Sequence, residues 1–246
     1  MKTLLFTRPP QARLDWAYFI DFDGTLINIA HTPQDILVDP SLLEQISSLH
    51  KATDGALALI SGRLISDLQK HLGISQIPLA GLHGLERRDS LGHHWIHRSP
   101  SAEMTKLKIS LSEVMSKHPG LLLEDKGLTL AVHYRMAPGL ASYIHQIMRK
   151  LIAPFGSEFE LQRGKRVVEI KLSGCNKASA VADYMKESPF KDRRPVFIGD
   201  DLNDEHGFKF VNSMQGISVK VGAGSSCACF RLPDVTAVRQ WLSQAN

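Results

Sequence analysis

The run Trp16-Ala17-Tyr18-Phe19-Ile20 is continuously apolar, with no charged or amide side chain to mark a wet face. A strand with one wet face alternates apolar and polar residues. A run without alternation has to be covered on both faces, as in the middle of a parallel sheet. Parallel neighbours cannot be joined by a tight turn, so helices must lie between them. The sequence that follows supplies such helices. Pro40 to Lys51 has helical spacing at Leu42, Leu43, Ile46 and Leu49, and opens on Asp39-Pro40. Ala56 to Ile60 is a second buried run, Ser61-Gly62-Arg63 leads into a helix ending near Leu72, and Ile77 to Ala80 forms a third short strand. Strand, helix, strand, helix, strand predicts an α/β fold with a parallel sheet.

The pattern changes near Arg87. Leu121 to Lys126 and Leu128 to Arg135 flank Gly127 as a hairpin would, and Phe159 to Gln162 and Arg166 to Leu172 flank Gly164 in the same way. Helices are expected over Ala102 to Lys117 and Pro138 to Ala153. Paired amphipathic strands with interleaved helices predict a small α+β domain with an antiparallel sheet. The α/β pattern then resumes, with a helix near Asn176, strands at Pro195 to Gly199 and Ile217 to Val221, and a final helix at Pro233 to Leu242. The expected division is a core domain over residues 1–86 and 173–246, with an inserted cap over 87–172. Residues Arg87 to Ser90 and Ser173-Gly174 are the candidate hinges.

A chain of 246 residues with 43% hydrophobic and 22% charged composition can bury a core without disulfides. The cysteines Cys175, Cys227 and Cys229 make an odd count, which suits a reducing compartment. Cys227 and Cys229 lack a second pair or a nearby histidine to make a metal site. Met1 to Pro10 is too short in apolar residues for a signal-peptide core or a membrane span, so a cytoplasmic location is expected. The net charge of +4 comes without a like-charge run or a basic stripe interleaved with aromatics. No nucleic-acid or membrane partner is expected, and a mild positive excess suits an anionic small molecule.

Asp21-Phe22-Asp23-Gly24-Thr25 follows the first buried strand directly, and Asp200-Asp201-Leu202-Asn203-Asp204 follows the strand at Val196 to Gly199. Ligands of open α/β sheets bind beyond the carboxyl ends of the strands. Carboxylates gathered there repel one another unless a cation lies among them. A set of hard oxygens without thiol or imidazole favours magnesium. Aspartates are also common in turns and helix caps, and a serine such as Ser61 also caps helices.

These residues resemble the motifs of the haloacid dehalogenase superfamily. Asp21-Phe22-Asp23-Gly24-Thr25 is similar to its first motif, and Ser61, Lys177 and Gly199-Asp200-Asp201 fall in order at the second, third and fourth. The resemblance implies a Rossmann-like core and a magnesium-dependent phosphatase. In it Asp21 is the nucleophile and a metal ligand. Asp23 is the general acid and base, its carbonyl a further ligand, and Asp200 completes the set with Asp201 or Asp204 behind it. Thr25, Ser61, Gly62 and Lys177 are then expected to hold the phosphoryl oxygens.

The inserted region resembles the trehalose-6-phosphate phosphatase family at Gly81-Leu82-His83-Gly84, Glu124-Asp125-Lys126, His133-Tyr134-Arg135 and Gly164-Lys165 with Val168-Glu169-Ile170. Asn203 stands where that family usually has Thr, and Ala178 where it usually has Gly. The resemblance implies trehalose 6-phosphate as substrate, read by His83, Glu124, Lys126, His133, Arg135, Lys165 and Glu169. Alternation by itself puts Glu124 with Lys126, His133 with Arg135, and Lys165 with Glu169 in phase on one sheet face. Such a face suits a sugar, although an antiparallel sheet also carries charges simply because one side is wet. The alternatives are a phosphatase or mutase for another sugar phosphate, and a non-catalytic sugar-phosphate sensor. His93, His94 and His97 read as surface residues.

Overall fold

The computed structural model describes residues 7–30, 35–97, 102–164 and 166–246. They form two compact units: one runs to Trp95 and is completed by Asn176–Asn246, and the other is Ile96–Cys175. In chain order the first unit holds β1 (Trp16–Asp21), α1 (Pro40–Ala52), β2 (Leu57–Ile60), α2 (Ile65–Leu72), β3 (Leu79–Gly81), β4 (Glu86–Arg88) and, at its end, β5 (His94–Ile96). The second unit holds α3 (Ala102–Met115), β6 (Leu122–Asp125), β7 (Thr129–His133), α4 (Ala141–Ile152), β8 (Phe159–Gly164) and β9 (Val167–Leu172). The first unit is completed by α5 (Lys177–Tyr184), β10 (Arg194–Gly199), α6 (Asp204–Ser213), β11 (Ile217–Val221), β12 (Phe230–Leu232) and α7 (Val235–Ser243).

Among the described residues the first unit's sheet has the order β12-β11-β10-β1-β2-β3-β4-β5. Neighbours from β12 to β3 are parallel, and β4 turns back antiparallel to β3. The absence of alternation in β1 now has its cause. Tyr18 and Ile20 face a cluster with Leu42, Ile46, Leu68 and Trp241 from α1, α2 and α7. Phe19 faces the other way, into Val181, Tyr184, Phe208 and Val211 from α5 and α6. Both faces are dry, so every position must be apolar. The opening of α1 follows its sequence signal: Asp39 accepts from the Leu42 amide and Pro40 occupies the first turn.

The stretch Arg87 to Ser90, expected as a hinge, is built into the first unit. Arg87 makes a two-point ion pair with Glu187, Arg88 donates to the Ile77 carbonyl, and Tyr184 donates to the Arg88 carbonyl. Cys227 and Cys229 keep separate partners, the Glu205 carbonyl and the Asn212 side chain.

The second unit is an antiparallel sheet of order β6-β7-β9-β8. The register aligns Glu124 with Ala131, Ala131 with Glu169, and Glu169 with Gln162, so these side chains share one face. Leu130, Val132, Val168 and Ile170 occupy the opposite face and are buried. The buried residues of α3 and α4 are Met104, Leu107, Leu111, Ile144 and Met148, and these helices pack on β7 and β9 respectively. Among the described residues, no helix is long and apolar enough to cross a membrane.

Candidate active site

The register of the parallel strands puts their carboxyl ends on one edge. Ile20 lies beside Ile198, and Asp21 beside Ile60. One residue further along each chain are Asp21, Ser61 after β2, and, past Gly199, Asp200. All three are buried. Gly24, at φ +83°, lets the next loop close over this edge: a Cβ there would stand 2.1 Å from Oδ2 of Asp200. Gly199 serves Asp204 in the same way, since its Cβ would stand 2.3 Å from the Asp204 Cγ.

Lys177 is the first residue of α5, whose N-terminus is fixed by Asn176 accepting from the Ala178 and Ser179 amides. The buried Lys177 Nζ donates to Oδ1 of Asp21 and to Oδ1 of Asp204, each at 2.6 Å. The other Asp204 oxygen, Oδ2, accepts from the amides of Asp200 at 2.9 Å and Asp201 at 2.8 Å. Thr25 Oγ1 donates to Oδ2 of Asp21 at 3.4 Å. Burial raises the Asp21 pKa well above the ordinary carboxylate range; Lys177 offsets part of this, and Asp204 and Asp200 add to it. Burial disfavours the Lys177 ammonium too, but Asp204 and Asp21 outweigh it and hold its pKa above the ordinary lysine value.

One carboxylate oxygen each from Asp21, Asp200 and Asp204 lies within 4.8 Å of the others, and no thiol or imidazole belongs to the group. This donor set fits a hard, oxygen-liganded divalent cation. Within the group, both Asp204 oxygens are engaged by Lys177 and two amides, and both Asp21 oxygens by Lys177 and Thr25. The Asp23 carboxylate lies outside this group. It is gripped by Arg63, whose Nε and Nη2 donate at 2.7 and 2.8 Å, while Nη1 holds Asp67 at 2.9 Å. Asp201 is half-buried and accepts from the Leu202 amide.

Ser61 does not cap a helix. Its Oγ accepts from the Arg63 amide at 3.1 Å, and α2 starts only at Ile65, whose amide is taken by Glu86 from β4. His83 donates its amide to the Ser61 carbonyl at 2.9 Å, in a left-handed conformation at φ +58°. Its imidazole lies against Gly62, where a Cβ would stand 2.5 Å from the ring.

On the polar face of the second unit, His133 Nε2 lies 2.8 Å from Oε2 of Glu124. Lys126 Nζ sits between Glu124 at 3.9 Å and the buried Glu169 at 3.6 Å. Burial alone would raise the Glu124 pKa, but His133 and Lys126 outweigh it and hold it below its ordinary value. Arg135 follows β7 and is half-buried. Lys165 lies outside the described residues.

Two cations at the carboxylate edge escape the motifs. Arg63 is legible only as the end of Ser61-Gly62-Arg63, with no sign that it holds Asp23. Lys220 is the single charge in the otherwise uncharged run Ile217 to Val221, and is buried there. A lysine inside a strand covered on both sides is itself the signal, because such a charge must find oxygen partners.

The sequence model of the family described as Trehalose-phosphatase matches residues 19–233. The trehalose-6-phosphate phosphatase of Escherichia coli strain K12 is 42% identical over 96% of the chain and 88% of its own length. A probable trehalose-phosphate phosphatase of Sinorhizobium fredii is 39% identical over 92% of the chain and 85% of its own length. Among solved structures, a trehalose-6-phosphate phosphatase related protein superposes with a TM-score of 0.76 at 25% identity, covering 92% of this chain and 95% of the other. The C-terminal domain of the Candida albicans trehalose-6-phosphate phosphatase reaches 0.82 at 22% identity, over 95% and 91%, which shows the shared fold.

Proposed function

The chain belongs to the trehalose-phosphatase family, and from that premise we propose that it hydrolyses trehalose 6-phosphate to trehalose and phosphate through a phosphoryl group carried on Asp21. The reading is carried by Asp21 itself: buried at the end of the central strand, against Lys177 and within a cluster of three buried carboxylates. Asp21 attacks phosphorus through one carboxylate oxygen as the bond to the sugar oxygen breaks. Asp23 gives its proton to the departing sugar oxygen. It then takes a proton from the water that attacks phosphorus, which releases phosphate and restores Asp21.

For Asp23 to reach the leaving oxygen it must exchange the Arg63 fork for the substrate, and Asp67 remains to hold Arg63 when it does. Lys177, Ser61, Thr25 and the amide at Gly62 bind the phosphoryl oxygens, so charge that develops on them meets fixed donors. Asp21, Asp200 and the Asp23 carbonyl would hold magnesium, which would supply Lewis-acid stabilisation of the phosphoryl charge. Asp204 and Asp201 stand behind this set. Asp204 fixes Lys177 with one oxygen and the Asp200-Asp201 main chain with the other.

The second unit is the cap that reads the sugar. Glu124, Lys126, His133, Arg135 and Glu169 offer donors and acceptors to the hydroxyls, and Lys165 and His83 belong to the same proposed set. The test is phosphate release across a panel of sugar phosphates, with and without magnesium. Trehalose 6-phosphate is expected to turn over fastest, and only with magnesium. Turnover of other sugar phosphates but not of this one would overturn the substrate assignment.

A further inference from the structure

Lys220 is buried at the edge that carries the carboxylates. Its Nζ donates to two main-chain carbonyls, those of Asp200 and Val221. Both lie where β10 and β11 reach the catalytic edge, and the register pairs Lys220 with Gly199, the residue before Asp200. Burying an ammonium is costly, and an apolar side chain would fill the same space without that penalty. Its neighbours Val219 and Val221 are apolar and buried, as the strand requires.

The contact falls on the peptide unit between Asp200 and Asp201. The carbonyl of this unit accepts from Lys220, and its N–H, on Asp201, donates to Oδ2 of Asp204 at 2.8 Å. One peptide plane is thus held at both ends by buried charges of opposite sign. Asp204 is itself anchored through Lys177 to Asp21. With the plane fixed and the Asp200 amide also on Asp204, the Asp200 side chain leaves the backbone in a set direction, against Gly24. Lys220 also gives the three buried carboxylates a second buried positive charge besides Lys177.

We infer that Lys220 is a positioning residue for the metal site: by clamping the Asp200-Asp201 peptide it aims the Asp200 carboxylate at the cation. The inference rests on the proposed reading of Asp200 as a metal ligand. It is tested by titrating the metal-free protein with magnesium, following the heat of binding and the magnesium-dependent rise in melting temperature. Lys220→Met fills the same space without donors. It is expected to weaken magnesium binding about 10- to 100-fold, the usual effect of removing a group that orients a ligand. Activity lost at low magnesium should return at saturating magnesium, with kcat within a few-fold of wild type; a general packing lesion would not be repaired in this way.

If Lys220→Met does not fold, Lys220→Gln, which keeps a donor on a shorter arm, carries the same test with the same expected direction. Magnesium binding by the variant equal to or tighter than wild type overturns the inference, because position would then not be what Lys220 supplies. Failure of the wild type to bind magnesium would instead overturn the metal reading on which it rests.

Discussion

The two units both carry buried or half-buried charges, but they hold them differently. In the first, Asp21, Asp200, Asp204, Lys177 and Lys220 cluster where parallel strands end, nearly excluded from water. In the second, Glu124, His133, Lys126 and Glu169 run as a chain across one face of an antiparallel sheet, and only Glu169 is buried. The first arrangement shifts proton affinities strongly and leaves little freedom of position; burial pushes the Asp21 pKa up. The second holds several donors and acceptors along one face with milder electrostatics. A strand-end cluster suits bond breaking, and an open sheet face suits recognition.

That division breaks if the nucleophile is not in the first unit. Asp21→Asn is expected to lower kcat by at least about 10⁴-fold with the fold unchanged by circular dichroism. Substantial residual phosphate release would remove Asp21 from the chemistry. Lys177→Met tests the same edge from the other sign of charge. It should cost about 10²- to 10³-fold in kcat. It should also cost about 3–5 kcal/mol of stability in urea unfolding, because Asp21 and Asp204 lose their shared counter-charge. A loss of activity without a loss of stability would mean that the buried pair is relieved by some other group.

The second unit should respond in a different parameter. Glu169→Gln keeps the shape but removes the charge facing Lys126. It is expected to raise KM for trehalose 6-phosphate by about 10-fold with kcat within a few-fold, in keeping with the loss of one charged hydrogen bond. A kcat loss as large as that of Lys177→Met would erase the distinction between the two regions.

The same contrast explains what the sequence makes legible. Strands buried on both faces, such as β1 and β10, announce themselves, and the carboxylates at their ends come with them. β4 does not, because its Glu86, Arg87 and Arg88 look like a solvated loop. They are buried only because the Ile65 amide, Glu187 and the Ile77 carbonyl answer them. Helix α6 is hidden for a related reason: it opens on the acidic residues Asp204 and Glu205, which read as a continuation of the motif loop. On the second unit, period-two spacing alone puts Glu124 with Lys126 on one face of their strand and His133 with Arg135 on one face of the next, but the bond between Glu124 and His133 depends on the register. Arg63 is legible only as the end of its turn, and Lys220 as an oddity of composition. Their partners, Asp23 and the Asp200 carbonyl, are distant in sequence and depend on strand order and register.

Acid separates the regions most finely, because the two carboxylates are shifted in opposite directions. Glu124 is held below its ordinary pKa, so its contribution to stability is full above about pH 4.3 and fades as pH falls below that. Asp21 in the metal-free protein is shifted upwards. Its folded form therefore takes up a proton more readily than the unfolded chain, and its penalty is relieved at low pH and grows as pH rises through the shifted value. Comparing each variant with wild type in metal-free urea unfolding makes the signs visible. Glu124→Gln should be less stable than wild type by about 1 kcal/mol near neutral pH, with the gap holding down to about pH 4.3 and closing below it. Asp21→Asn should match wild type near pH 4 and become the more stable of the two as pH rises. Parallel curves for the two variants would show that both regions hold their carboxylates in the same way.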